Sequence, residues 1–187
     1  MKSFKRNTLA GLAAIVCLAA GLSGCTVLRS GEKEESDDRF GDFSQYVPEE
    51  LTVRTDVQPL SERLPGLTIS SAHWVSQARL REREFLPEPD RPVWLHAVLR
   101  VDSDSASALG DASAGDEADK LPSIYPNLRQ YVPQNCSFSV VPEKRADEIS
   151  DVENAQLGTV EASFFIREIA VSQECGMVVM TAETIYR

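Results

Sequence analysis

Two short stretches carry the side chains best suited to chemistry near neutral pH: Ser71-Ala72-His73-Trp74 and Trp94-Leu95-His96. Histidine alone has an ordinary pKa in that range, so a catalytic triad, a proton shuttle or an imidazole-bound metal would have to use His73 or His96. If the two stretches are paired strands, His73, Trp74, Trp94 and His96 form a His/Trp patch able to bind a ligand, and this patch is the sharpest site expectation the residues allow. Histidines at the edge of a core would give the same letters. The acidic pairs Glu82/Glu84 and Asp147/Glu148 could be read as acid and base, but a chain with 29 acidic residues throws up such pairs anyway. No Gly-x-Ser-x-Gly, no glycine-rich phosphate loop and no His-Glu-x-x-His occurs. Asp102 and Asp104 have the spacing of a calcium loop, yet Ala106, Ser107 and Ser113 stand where such a loop needs a ligand, a glycine and a glutamate. The sequence therefore assigns no catalytic residue, no metal ligand and no cofactor.

The cysteines say more. Four occur, at Cys17, Cys25, Cys136 and Cys175. Cys25 closes a segment with a basic start (Lys2, Lys5, Arg6) and an apolar run from Leu9 to Ala20, which fits the hydrophobic region of a signal peptide and is too short to span a bilayer. Leu22-Ser23-Gly24-Cys25 then resembles the lipobox of bacterial lipoproteins at every position. The resemblance implies that residues 1–24 are cut away, that the Cys25 thiol takes a diacylglycerol and that the new amino group is often acylated too. The nucleophile in such a transfer is a thiolate, which serine cannot supply. Two or more acyl chains hold a protein on a membrane for long periods, where one does so only marginally.

An exported domain sits in an oxidising compartment, and with Cys25 under its lipid the remaining pair, Cys136 and Cys175, is expected to form a disulfide. In the chain-entropy account a loop of that span is worth about 4 kcal/mol. Neither Cys-x-x-Cys nor a third ligand nearby supports a redox or zinc reading.

Loss of Lys2, Lys5 and Arg6 with the leader would take the formal charge from -10 to -13. A surface that acidic argues against nucleic acid and against adsorption to anionic lipid, so the membrane contact falls to the acyl chains.

Residues 25–50, rich in Glu, Asp, Ser and Gly, are expected to be a disordered acidic tether with a span of roughly 25 to 30 Å. Phe40, Phe43 and Tyr46 interrupt its polarity and could dock it on a partner or on its own domain. The globular domain is expected over 51–187. Val93 to Asp102 alternates as a strand with one buried face, Val93, Leu95, Ala97, Leu99 and Val101, and Trp94, His96, Val98, Arg100 and Asp102 on the other. Leu67 to Leu80 is expected to pair with it across a Pro-rich connection, a helix over Ser71 to Phe85 being the alternative. Residues 102–123, nearly all Asp, Ser, Ala and Gly, read as a mobile low-complexity loop with one helical turn at most. Pro126 to Tyr131 is a short helix candidate and Cys136 to Val141 a strand. The stretch from Glu143 to Gly158 reads as a polar connection. The last thirty residues alternate on both sides of Glu174-Cys175-Gly176 and predict a long hairpin.

The sum is an α+β fold: an antiparallel sheet of about five strands with one or two short helices. The layout, lipobox then acidic tether then a small Trp-bearing domain, resembles uncharacterised lipoproteins of actinobacteria. That likeness implies the extracytoplasmic face of the cell membrane, or the outer membrane of a two-membrane cell, where Thr26 after the lipidated cysteine permits transfer. The expected function is that of a membrane-anchored envelope lipoprotein without catalysis, whose domain binds an envelope protein, a glycan or a small ligand on an exposed sheet face or edge. A small hydrolase-like enzyme using His73 or His96, and a carrier of apolar ligands, are the alternatives.

Overall fold

The computed structural model describes residues 37–83, 90–113, 115, 117–158 and 161–186. The leader, Cys25, the first part of the expected tether and most of the Pro-rich connection fall outside them.

Five antiparallel strands form one sheet: β1 (Ile69–Ala78), β2 (Val93–Val101), β3 (Ser139–Val140), β4 (Ala162–Ser172) and β5 (Met177–Tyr186), in the order β1-β2-β5-β4-β3. The fold is α+β, as the alternation of apolar residues predicts. β1 and β2 pair with His73 opposite Val98 and Val75 opposite His96, so the helix alternative over this stretch is set aside. β4 and β5 make the expected terminal hairpin. Cys136 and Cys175 are joined, with Cα atoms 6.1 Å apart, and the bond ties the approach to the short edge strand β3 to the β4–β5 turn.

Among the described residues three α-helices accompany the sheet: α1 (Gln58–Ser61), α2 (Ser103–Asp111) and α3 (Glu143–Ser150). Two of them correct the sequence reading. α2 occupies the start of the expected mobile loop. Asp102 is its N-cap, accepting a hydrogen bond from the Ser105 backbone N–H at 2.9 Å, and Ala106 and Leu109, three residues apart, are buried against the sheet. Small side chains let the helix lie close, which is why a run without bulky residues still packs. α3 occupies the expected polar connection; only Ala146 and Ser150 are buried along it, so its apolar signal is slight.

The largest correction concerns burial. β2 was expected to bury one face and buries both. Leu95, Ala97 and Leu99 face a core completed by Leu60, Leu64 and Leu109, while Trp94 and Val98 face a second core completed by Phe40, Ile124 and Leu128. The second cover is made in part by residues 37–50, placed in the tether by the sequence reading. Phe40 is 3% exposed, its neighbours exchange backbone hydrogen bonds with Leu121, and the Arg39 guanidinium donates to the Val132 and Pro133 carbonyls. Burial of Phe40 and Phe43, the backbone hydrogen bonds to Leu121 and the Arg39 contacts together offset the entropy of ordering the strap.

Both outer strands are covered over part of their length. Arg54 forms an antiparallel bridge to Trp74 on the free side of β1, Tyr46 does the same with Leu80, and β3 is two residues long.

Candidate functional site

The expected His/Trp patch is divided by the pleat. Successive side chains of a strand point to opposite faces. Trp74 lies in the helix-covered core, where its indole Nε1–H donates to the Asp56 carbonyl at 3.0 Å and the Arg54 guanidinium stands 4.0 Å above its ring. His73 faces the other way and stacks on Tyr131 with ring centroids 3.7 Å apart. Trp94 and His96 stay together, their rings 4.7 Å apart, with Phe43 from the strap meeting both edge-on.

His96 is 4% exposed, and its Nδ1 accepts a hydrogen bond from the Tyr125 backbone N–H at 3.0 Å. An accepting Nδ1 leaves the ring proton on Nε2. Burial pushes the pKa down to about 4, so the ring is neutral at physiological pH.

His96 and Trp94 also line a cavity of about 290 Å³ between the sheet and the strap. Its floor is buried and comes from the centre of the sheet: Trp94 and His96 on β2, and opposite them in register Glu183 and Thr181 on β5. Its rim is exposed and charged, with Arg79 just beyond β1, Arg167 and Glu168 on β4, and Ser44 on the strap. A β-bulge explains the rim. Ile166 pairs with Ala182 and Glu168 with Thr181, so Arg167 is the extra residue, and the bulge turns two consecutive charged side chains toward the same cavity.

Glu183 is the electrostatic centre. Its carboxylate is 8% exposed and held from two sides, by the Arg79 guanidinium at 2.7 Å and by that of Arg167 at 3.1 Å. The Arg79 contact is an ion pair without hydrogen-bond alignment, which leaves Glu183 Oε1 without a hydrogen-bond donor among the described residues. Glu168 accepts from the Ser123 backbone N–H and hydroxyl, both at 3.0 Å. The buried indole Nε1–H of Trp94 has no hydrogen-bond partner among the described residues. Two guanidiniums and two carboxylates cancel, so the cavity is strongly polar and carries no net charge.

Of the acidic pairs noted in the sequence, Asp147 is half-buried, accepts from the Ile166 backbone N–H at 3.2 Å, and has its pKa raised by burial; Glu148 is exposed and pairs with Arg145. Glu82 lies at a turn, and Glu84 is outside the described residues. Glu82, Asp147 and Glu148 do not line the cavity.

Sequence reasoning found Trp94 and His96 and missed Arg79, Arg167, Glu168, Thr181 and Glu183. A signal for the last four exists: Arg167-Glu168 and Thr181-x-Glu183 are polar insertions in the apolar strands of the terminal hairpin. The chain matches no family model, no curated protein and no solved structure. The site has to be argued from its own chemistry.

Proposed function

We propose that the protein is a membrane-anchored lipoprotein of the bacterial cell envelope, held by acyl chains on Cys25, whose domain binds a partner or ligand without catalysis. The observation that carries the anchoring is Leu22-Ser23-Gly24-Cys25 after a basic start and a short apolar run. The Cys136–Cys175 bridge supports export, because such bonds persist in oxidising compartments. Among the described residues no helix is long and apolar enough to cross a membrane, which leaves the anchoring to the lipid in this reading.

The state of His96 favours binding over catalysis. An imidazole with a pKa near 4 is a weak base at neutral pH, and its Nδ1 is engaged by a backbone amide. The polar floor of the cavity favours a hydrogen-bonding ligand over apolar cargo.

The test is the intact mass of full-length protein extracted from membranes, beside a Cys25→Ala variant. A diacylglyceryl mass on the wild type alone, with the variant lost from the membrane fraction, is the expected result. An unmodified wild type would overturn the anchor. For the domain, His73→Ala and His96→Gln variants that fold yet leave the phenotype of the strain intact would remove the enzyme alternative.

A further inference from the structure

We infer that the cavity over β2, β5 and β4 is a subsite for a neutral, hydroxyl-rich ligand of about one pyranose ring, the class to which the sugar units of envelope glycans belong. This inference rests on the binding reading above and names the ligand class of its site.

The argument begins with charge. An anion placed against Arg79 and Arg167 would also meet Glu183 and Glu168, and a cation placed against the carboxylates would meet the two guanidiniums. Each would gain one pair of contacts and lose by the other. A neutral ligand avoids both losses. An apolar ligand fails for a different reason: it would take water from the exposed Arg79, Arg167 and Glu168 side chains that line the cavity without bonding them.

What remains must donate to carboxylates and accept from N–H groups at close spacing. A hydroxyl does both, having one donor and two lone pairs. Neighbouring hydroxyls on a ring also match the paired sites of a carboxylate or a guanidinium. The floor brings the Thr181 hydroxyl into the lining, and the rim adds the Glu168 carboxylate and both arginines. A volume of about 290 Å³ stands at the low end of small-molecule sites and suits a single ring with the rest of a chain outside. Ser44 and the half-buried Gln45 on the strap edge the opening, where a continuing chain would leave.

The site can be read with one fluorophore. The chain has two tryptophans, and Trp74 packs on the opposite face of the sheet, so Trp74→Phe leaves the emission of Trp94 alone. Full-length Trp74→Phe protein, in a detergent without a sugar headgroup, would be titrated with D-glucose, D-galactose, D-mannose and N-acetyl-D-glucosamine. Glucuronate would serve as the anionic probe and glucosamine as the cationic one, and saturation-transfer NMR on the wild type would run in parallel.

The expected result is saturable change in Trp94 emission with at least one neutral sugar and saturation transfer to its ring protons. Glu168→Gln and Thr181→Val, each with unchanged thermal unfolding, should weaken it at least tenfold. A variant that unfolds early would be replaced by Ser44→Leu, which narrows the mouth from the exposed side without adding an indole and should block the same sugar. A response to glucuronate or glucosamine but to no neutral sugar would overturn the ligand class and leave the binding reading standing. No response to any of the probes would overturn the sugar subsite and leave the binding reading to a protein partner. Neutral-sugar binding unaffected by any cavity variant would place the ligand elsewhere and overturn the site.

Discussion

The Tyr125 backbone N–H donates to His96 Nδ1 at 3.0 Å, and this one bond joins the centre of the sheet to the segment covering it. It also sets the tautomer, and with burial it keeps the ring neutral.

Acid should therefore destabilise the fold through His96. The folded pKa is about 4 against an ordinary 6.5, so between those values the unfolded chain binds the proton and the folded chain does not. Stability is retained above about pH 6.5, falls as the pH drops toward 4, and this contribution levels off below that. The shift corresponds to about 3 kcal/mol across the window. Urea unfolding at pH 7.0, 5.5 and 4.5 of the wild type and of His96→Gln should show a steeper loss in the wild type. Parallel curves would mean that the imidazole is accessible to protons in the folded state.

Reduction should cost the domain about 4 kcal/mol, the chain-entropy value for a loop closed across 39 residues. Thermal unfolding of Cys136→Ser/Cys175→Ser beside the wild type measures it, and addition of a reductant should bring the wild type down to the variant. A reductant effect present also in the double variant would trace to something other than this bond.

Phe40→Ala should destabilise by about 3 kcal/mol, as expected for a fully buried aromatic truncated in a packed core. Limited proteolysis should then cut the variant between 37 and 50 before it cuts the wild type. Unchanged stability and equal cleavage would return this segment to the tether.

Gly66→Ala should cost 2 kcal/mol or more, by a rough figure for a forced backbone shift in a packed region. A Cβ at Gly66 would overlap the Ile149 carbonyl oxygen, and the Gly66 N–H donates to the Ser150 carbonyl at 3.0 Å. This contact holds the end of α3 to the turn after α1. Denaturant midpoints of the two proteins give the answer, and near-equal midpoints would show that the turn yields freely.

The strands were legible because alternation is a strong signal in a half-apolar chain, and β1, β2 and the terminal hairpin follow it closely. The two longer helices were not. α2 packs through Ala106 and Leu109 and α3 through Ala146, side chains too small or too few to mark a helical stripe. The Trp94 and His96 half of the site was visible by residue type. Its charged half was hidden by the bulge at Arg167: the buried set runs Phe164, Ile166, then Ile169, Val171, a slip of one position that alternation counts as noise. Phe40 and Phe43 announced that the polar strap would dock, but composition averaged over 25 residues outweighed them.

The shielding of the outer strands bears on how many copies can share a surface. Free strand edges are templates on which identical chains polymerise, and the hazard grows with local concentration. Proteins held by lipid to one leaflet are concentrated by confinement to two dimensions. With Arg54 and Tyr46 bridged along one margin and a two-residue strand stapled by Cys136–Cys175 at the other, those stretches of edge are closed to a neighbouring copy. Were the domain held on a leaflet as proposed, crowding would not pair its copies through those stretches.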